Sequence, residues 1–136
     1  MLTDEQRKNL VQTAIEARKW VYAPYSNYPV GAALLTSSGR TYDGVNVENA
    51  VYPLSICAER VAVFKAVSEG ENQFEAIAVV TRDGGSPCGS CRQVLSEFGS
   101  ETIVLLADDQ GKIALETTVD DLLPGAFGPA NLETSS

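Results

Sequence analysis

Hydrophobic positions along the chain change their period several times, which predicts alternating helices and strands. Near the N-terminus, Thr3 and Gln6 have the spacing of a capping box, which predicts the start of a helix. The residues that follow recur at three- and four-residue intervals and describe one helix face: Leu10, Val11, Ala14, Ile15, Arg18 and Val21. Residues 23–26, which include Pro24, are expected to end this helix.

Five short segments have the length and composition of β-strands. They span residues 30–36, 41–47, 76–81, 102–107 and 113–117. The turn Ser37-Ser38-Gly39 joins the first two segments as an antiparallel hairpin. Gly31, inside the first segment, predicts a bulge or a close approach of another part of the backbone.

Helical patterns occupy the sequence between the strands. One begins at Cys57 and ends at Gly70, a second runs from Cys88 to about Phe98, and residues 120–123 form a short third one. This order predicts an α/β protein, a three-layer α/β/α arrangement around a five-stranded mixed sheet that is parallel at its centre and antiparallel at its edges. Residues 1–127 are expected to form a single domain, followed by a polar, frayed tail at 128–136.

Size and charge limit the function. A chain of 136 residues is one domain by length, and its net charge of −8 argues against extended contact with nucleic acid, which requires clustered Lys and Arg. No apolar run approaches the roughly 20 residues of a membrane span. The polar N-terminal segment 1–6 does not resemble a secretory signal. We therefore expect a cytoplasmic protein that acts on small molecules and does not contact a membrane.

The chain has three cysteines and no histidine. Without histidine, proton transfer near neutral pH must use a carboxylate, Lys, Tyr, Cys or a metal-bound water. For the same reason, a transition-metal site would consist mainly of thiolates. Three cysteines cannot form a closed set of disulfides, so these thiols are expected to be buried, catalytic or metal-bound.

All three cysteines lie at predicted helix starts, which in an α/β sheet gather at the carboxyl ends of strands. Cys88 and Cys91 are three residues apart, so both project from one face of the first helical turn. Three protein ligands are the usual number in a catalytic zinc site, whose fourth position holds water. Together with Cys57, the pair therefore predicts an open zinc site. Glu59 is too close to Cys57 to share the metal without strain, and is expected to face the zinc-bound water and move its proton.

Three thiolates on Zn²⁺ leave a net charge of −1, which makes the bound water a poorer acid. Arg60 and Arg92 are both placed to donate hydrogen bonds to sulfur. Arg60 is preferred because it shares the helix start that carries Cys57 and Glu59. Arg92 could equally be an ordinary surface charge.

The motif Cys57-Ala58-Glu59 followed by Pro87-Cys88-Gly89-Ser90-Cys91 resembles the signature of zinc deaminases. The cysteine in the first position and the short chain are similar to the small homotetrameric cytidine deaminases. This resemblance covers nearly the whole chain, including segments 25–26, 30–35, 46–50 and 123–127. It implies hydrolytic deamination of cytidine and deoxycytidine to uridine and deoxyuridine, with release of ammonia, in pyrimidine salvage.

The resemblance also implies roles for individual residues. The resemblance implies one zinc ion per subunit. Zinc-bound hydroxide would attack C4 of the cytosine ring, while Glu59 would protonate N3 and then the leaving amine. Asn46 and Glu48, with Val47 between them, match positions that bind the ribose. Phe127 matches an aromatic residue that reaches into a neighbouring subunit's site, so that the homotetramer shares its active sites. Tyr28 stands where relatives often carry Phe against the pyrimidine ring, and its phenol needs a polar partner or water.

Simpler interpretations remain open for the residues taken singly. A C-x-x-C pair at a helix start is more often a redox or structural metal pair, and Cys57 could be a buried core thiol. Tyr28 could pack between the first helix and the sheet, and Asn46 and Glu48 could be polar residues at a strand end. Two alternative functions follow: a deaminase of another aminopyrimidine, such as a nucleoside antibiotic, or a non-catalytic zinc- or thiol-based binding module.

Overall fold

A computed structural model describes residues 2–132 of the chain. Its α-helices are α1 (Asp4–Ala17), α2 (Ala58–Ser68), α3 (Gly89–Glu97) and α4 (Val119–Leu122). Its strands are β1 (Gly31–Thr36), β2 (Thr41–Val45), β3 (Phe74–Val80), β4 (Ile103–Ala107) and β5 (Ile113–Thr118). Short 3₁₀ helices span Arg18–Trp20, Tyr52–Leu54 and Pro129–Asn131.

Every predicted helix and strand is present, with shifts of a few residues at the ends. The capping box at α1 is confirmed, because the Thr3 hydroxyl accepts from the Gln6 amide at 3.0 Å and the Thr3 amide donates to the Gln6 side chain at 2.8 Å. The predicted apolar stripe extends to Val21, whereas α1 ends at Ala17 and tightens into the first 3₁₀ helix. Tightening of the last turn is a common way to satisfy the free carbonyl groups at a helix end.

The strands form one mixed sheet in the order β2-β1-β3-β4-β5. Strand β1 is antiparallel to both β2 and β3, β3 and β4 are parallel, and β5 is antiparallel to β4. The predicted mixed sheet with antiparallel edges is therefore confirmed. Helix α2 carries the chain from β2 across β1 to β3, so β1 lies between β2 and β3. The parallel centre of the sheet is therefore the single pair β3 and β4.

Helices cover both faces of the sheet, which confirms the three-layer arrangement. Alternate residues of each strand point to opposite faces, so a strand that is buried on both sides has a continuous apolar sequence. One core lies between α1 and the sheet and includes Leu10, Val11, Ala14, Ala33, Leu35 and Leu105. The other lies between α2, α3 and the sheet and includes Ala62, Val63, Leu95, Leu34, Ile77 and Leu106.

Two glycines allow helices to lie very close to the sheet. A Cβ atom on Gly31 would lie 2.0 Å from the carbonyl oxygen of Ala14, which confirms the predicted close backbone approach. A Cβ atom on Gly44 would lie 2.4 Å from the carbonyl oxygen of Ala58. Gly44 therefore fixes the beginning of α2 against β2, and with it the position of Glu59 in the first turn of α2.

The topology brings two helix starts to one edge of the sheet. Because β2 and β3 are both antiparallel to β1, they run in the same direction and their carboxyl ends lie at the same edge. Helix α2 follows β2 and helix α3 follows β3. The N-termini of α2 and α3 consequently meet there, which is where ligand sites form in α/β proteins.

The C-terminal segment differs in part from its predicted form. Pro129–Asn131 forms a 3₁₀ helix inside the segment that the sequence predicts to be a frayed tail, while residues 133–136 lie outside the described residues. The domain boundary at residue 127 stays a prediction. Among residues 2–132, no helix has the length and apolar character needed to cross a bilayer.

Candidate active site

The three cysteines meet where α2 and α3 begin. Cys57 and Cys88 are the N-cap residues of these helices, and Cys91 lies in the first turn of α3. All three sulfur atoms lie within 4.8 Å of one another, with 3.8 Å between Cys57 and Cys88 and 3.3 Å between Cys88 and Cys91. Both distances far exceed the roughly 2.05 Å of a disulfide bond, and all three thiols are free.

The spacing of these sulfur atoms fits a zinc ion. Two thiolates that each lie 2.3 Å from a tetrahedral zinc are about 3.8 Å apart. The first distance matches this value, and the second is within about 0.5 Å of it. Cys91 is buried, Cys57 is partly buried and Cys88 is exposed, so a metal held by the three would be open to solvent on one side. Thiolates are also the ligands that favour zinc over the hard cations.

Contact between the thiols shifts the pKa values of Cys57 and Cys91 in opposite directions. Hydrogen bonding with the Cys91 sulfur, and to a smaller degree with Arg60, lowers the pKa of Cys57 to about 5. The same interaction with Cys57 raises the pKa of Cys91 well above its usual range. Zinc binding requires thiolates, so a bound ion would displace any proton that the pair retains.

Arg60 and Arg92 have different partners. The Nη2 atom of Arg60 lies 3.6 Å from the sulfur of Cys57, and this hydrogen bond raises the pKa of Arg60. Arg92 instead donates to the carbonyl oxygens of Pro87 at 2.9 Å and Leu122 at 2.8 Å, and to the Ser86 hydroxyl. The contacts thus favour Arg60 as the neighbour of the thiolates. Arg92 holds the backbone that leads into Cys88 and is not a free surface charge.

Glu59 is the buried carboxyl group beside the thiols. Its residue surface is only 4% exposed, although most carboxylates of folded proteins lie on the surface. Burial raises the pKa of Glu59 to about 7. A carboxyl group with such a pKa can both accept and donate a proton near neutral pH, which is what general acid–base catalysis requires.

A cleft of about 300 Å³, here called the cysteine cleft, opens beside the thiols. This volume lies at the lower end of the range for small-molecule sites. Six residues predicted to belong to the site line it, namely Tyr28, Asn46, Glu48, Cys57, Glu59 and Cys88. The remaining four do not line it, namely Val47, Arg60, Cys91 and Phe127.

Asn46 connects two parts of the backbone at the wall of the cysteine cleft. Its side-chain oxygen accepts from the amide of Val30 at 2.9 Å, and its side-chain nitrogen donates to the carbonyl oxygen of Tyr28 at 2.9 Å. One N–H group and one lone pair of the amide remain for a ligand.

Glu48 holds the loop that precedes Tyr28. One carboxylate oxygen accepts from the amides of Tyr25 and Ser26, each at 3.0 Å, and the other accepts from the Ser26 hydroxyl. These hydrogen bonds, that of the Ser26 hydroxyl first, lower the pKa of Glu48. Glu48 is thus a carboxylate in the wall of the cleft, with lone pairs left for further donors.

Comparison with known proteins assigns the chain to a family. Residues 4–107 match the family described as "Cytidine and deoxycytidylate deaminase zinc-binding region". The chain belongs to this deaminase family. The family, together with the cluster of three cysteines, points to zinc as the cofactor.

Individual relatives of this deaminase are similar over nearly their whole length. The cytidine deaminase of Sporosarcina psychrophila is 49% identical over 128 residues, which are 92% of this chain and 93% of that protein. The crystal structure of cytidine deaminase from Burkholderia pseudomallei is 46% identical and superposes with a TM-score of 0.84, covering 93% of this chain and 100% of that one. The blasticidin-S deaminase of Bacillus cereus is 31% identical over 130 residues, 88% of this chain and 91% of that protein.

Two of the four predicted site residues that do not line the cysteine cleft, Val47 and Phe127, make backbone contacts elsewhere in the deaminase. Val47 exchanges backbone hydrogen bonds with Ile56 at 3.0 and 2.9 Å and so holds the segment that carries its two neighbours. Phe127 is 59% exposed, and its carbonyl oxygen accepts from the Gln93 side chain at 2.8 Å. Phe127 therefore lies at the surface of the chain.

Tyr28 has the polar partner that its phenol requires. The hydroxyl donates to Asp83 at 2.8 Å, and the Arg82 guanidinium carbon lies 4.9 Å from the ring centroid. Sequence reasoning missed Asp83, and it also missed Ser26 and Thr81 in the cleft wall. The only sequence signal for Thr81 is its position at the end of β3, and for Asp83 there is only its place in a Gly-rich loop.

Proposed function

We propose that this chain catalyses the hydrolytic deamination of cytidine and deoxycytidine to uridine and deoxyuridine, with release of ammonia, as in pyrimidine salvage. The observation that carries the proposal is the cluster of three thiols within 4.8 Å of one another, together with a buried Glu59, at the cysteine cleft, which Cys57, Glu59 and Cys88 line. Membership of the deaminase family and the high identity to proteins named cytidine deaminase support the choice of substrate.

In this proposal Cys57, Cys88 and Cys91 hold one zinc ion per subunit. Bound zinc supplies a Lewis acid that makes water a nucleophile near neutral pH. Three thiolates weaken that effect because they leave the site with a surplus negative charge. Arg60 offsets part of this charge through its hydrogen bond to Cys57, which is the role that its 3.6 Å contact supports.

Glu59 moves the protons of the reaction. Its carboxylate accepts a proton from the water that attacks C4 of the cytosine ring and delivers it to N3. It then takes the proton of the new hydroxyl group on C4 and carries it to the departing 4-amino group. The C4–N bond breaks as the C4 carbonyl forms, so that one water is consumed and one ammonia is released. Burial of Glu59 supports this role, because bulk water has little access to the carboxyl group during the transfer.

Four further residues form the proposed nucleoside site. Asn46 and Glu48 bind the ribose hydroxyls with the donor and acceptor positions that their backbone contacts leave free, and Val47 keeps the two in place. Tyr28 lies against the pyrimidine ring as an aromatic wall of the cysteine cleft. The cleft is small, which suits a nucleoside better than a polynucleotide.

We also propose a homotetramer with shared active sites in a reducing compartment such as the cytoplasm. Free thiols in the site are compatible with such a compartment. Assembly is supported by exposed apolar side chains in segments next to the cysteine cleft, a feature typical of interaction surfaces. These side chains are Tyr22, Tyr25, Val47, Val51, Tyr52 and Leu54.

The proposed activity predicts that zinc-loaded protein releases ammonia from cytidine and deoxycytidine with the absorbance change of uridine formation. Protein treated with a chelator is the matched control and should be inactive until zinc is restored. Blasticidin S is the third substrate to be tested, because the Bacillus cereus relative carries that name. Turnover of blasticidin S alone would make the antibiotic the substrate. Bound zinc without ammonia release from any aminopyrimidine nucleoside would leave a zinc-binding module.

The shared site predicts that Phe127→Ala lowers kcat/KM for cytidine by about tenfold or more while zinc stays bound, because loss of a buried aromatic contact costs well over 1 kcal/mol at an interface. The substitution keeps the carbonyl group that Gln93 binds. Leu132→Ala, at another exposed apolar residue of the C-terminal segment, is the matched control and should retain activity.

Mixed assemblies distinguish a shared site from a site within one subunit. Co-expression of differently tagged Phe127→Ala and Glu59→Gln chains should restore activity, because a subunit with intact Glu59 then receives Phe127 from its neighbour. If Phe127 served its own chain, neither kind of subunit would have a complete site. Mixed assemblies no more active than expected from the residual activity of the Phe127→Ala chains would therefore remove the role of Phe127 between subunits.

A further inference from the structure

The hydroxyl group of Tyr28 is tied to the loop that carries the chain from β3 to Cys88. Tyr28 donates to the Oδ1 atom of Asp83 at 2.8 Å. The hydroxyl of Thr81, at the end of β3, donates to the same oxygen at 3.2 Å and accepts from the amide of Gly85 at 2.7 Å. Asp83 therefore joins an aromatic wall of the cysteine cleft to the segment that leads into Cys88.

The same loop also contacts the ring itself. The guanidinium of Arg82 lies over the Tyr28 ring at 4.9 Å from its centroid, a distance at which a cation is attracted to an aromatic face. Its Nη2 atom donates to the carbonyl oxygen of Asn27 at 3.0 Å. Asn27 has a positive φ of 55°, which non-glycine residues rarely adopt and Asn tolerates best. The ring is thus held at its hydroxyl, at one face and through the backbone before it.

Space around this hydrogen bond is limited. A Cβ atom on Gly85 would lie 3.2 Å from the Tyr28 hydroxyl and 3.4 Å from the Asp83 carboxylate. A side chain at this position would therefore be in tight contact with the Tyr28 hydroxyl and in ordinary contact with Asp83. Glycine at position 85 therefore leaves the Tyr28 hydroxyl in place, whereas a larger residue would require it to shift by a few tenths of an ångström.

We propose that Asp83 is a positioning residue that fixes the orientation of the Tyr28 ring and thereby strengthens binding of the pyrimidine nucleoside. Asp83 does not line the cysteine cleft, so it acts through Tyr28 and not by touching the substrate. A ring that is already oriented loses less conformational freedom when the ligand binds, which improves affinity. This inference rests on the proposed deaminase function, and it adds a residue to which neither the family match nor the resemblance assigns a role.

The test is a double-mutant cycle on the zinc-loaded enzyme with cytidine as substrate. Asp83→Ala is expected to raise KM about threefold to tenfold, the effect of one lost charge-assisted hydrogen bond, with kcat changed less than twofold. Asp83→Asn retains an acceptor oxygen and should recover most of the lost affinity. In a Tyr28→Phe background, Asp83→Ala should have no further effect on KM, because the hydrogen bond is already absent.

Gly85→Ala provides a second approach that removes neither partner. It should raise KM in the wild-type background, and most of this increase should disappear in Tyr28→Phe, which lacks the atom that the new methyl group meets first. Zinc content is measured for every variant, because it reports whether the loop still holds Cys88 in position to bind the ion.

The possible outcomes separate the inference from the proposed function. If Asp83→Ala leaves KM unchanged, or raises it equally with Tyr and with Phe at position 28, Asp83 acts only on the loop and the inference is wrong. The same holds if Asp83→Asn fails to restore affinity. If the zinc-loaded wild type deaminates no pyrimidine nucleoside, the proposed function fails first and this inference is withdrawn with it.

Discussion

Glu59→Gln is expected to bind zinc and fold normally, yet to deaminate cytidine about 10² to 10⁴ times more slowly than the wild type. This range is the usual contribution of a positioned general acid–base group. Glutamine has nearly the same shape as glutamate but can neither take up nor release a proton at the relevant step. The loss should therefore fall on kcat, measured together with the metal content of the same preparation.

The variant is informative because Glu59 lies only two residues from Cys57, so the metal content shows whether the substitution disturbs the zinc site. Glu75→Gln is a matched control, since Glu75 is an exposed carboxylate on β3, remote from the cysteine cleft, and its loss should leave kcat unchanged. Near-normal turnover by Glu59→Gln would mean that another group moves the proton. Loss of zinc from this variant would mean that the carboxylate contributes to metal binding.

Much of the fold could be predicted from the sequence because each helix and strand has a local signature. The position of β1 between β2 and β3 could not, since periodicity reports which residues are buried and not which strands are neighbours. In that order α2 carries the chain from β2 across β1 to β3, and its backbone lies close to Gly44 of β2. The effect of Gly44 is visible only once the helix and the strand are seen together.

The candidate site also has a part that the local sequence predicts and a part that only the fold reveals. Cys57, Glu59 and Arg60 form one continuous segment, and Cys88 and Cys91 form one helical turn, so their spacing alone predicts a common site. The hydrogen bond between Tyr28 and Asp83 joins residues 55 positions apart, and nothing in either local sequence indicates it. Contacts of this kind depend on the folded positions of two loops.

Asn46 and Glu48 show a different limit of sequence reasoning. The resemblance to deaminases implies that they bind the ribose, while their hydrogen bonds show that both also hold the backbone around Tyr28. A substitution at either residue would therefore change the shape of the cleft as well as its contacts. Asp83 offers a cleaner way to perturb Tyr28, because it lies outside the cleft.

Cys88→Ser is expected to abolish the stabilisation that zinc gives to the wild type. Binding to the folded state alone stabilises by about 4 kcal/mol when free zinc is a thousandfold above its Kd, which for a chain of this size is on the order of 10 °C in Tm. The Cys88 sulfur also accepts from the Cys91 amide at 3.4 Å as the cap of α3. Serine retains a capping oxygen, so the substitution removes the thiolate without removing the cap.

Thermal unfolding with and without a chelator separates the contribution of zinc to stability from the contribution of side-chain packing. In chelator, wild type and Cys88→Ser should have nearly the same Tm, because Cys88 is exposed and little packing is lost. Cys91→Ser should unfold at a lower temperature in both conditions, because it places a hydroxyl in a fully buried position. With zinc present, only the wild type should gain stability. A gain in Tm of similar size in Cys88→Ser would show that the ion is bound without Cys88. The predicted zinc site with three thiolate ligands would then be wrong.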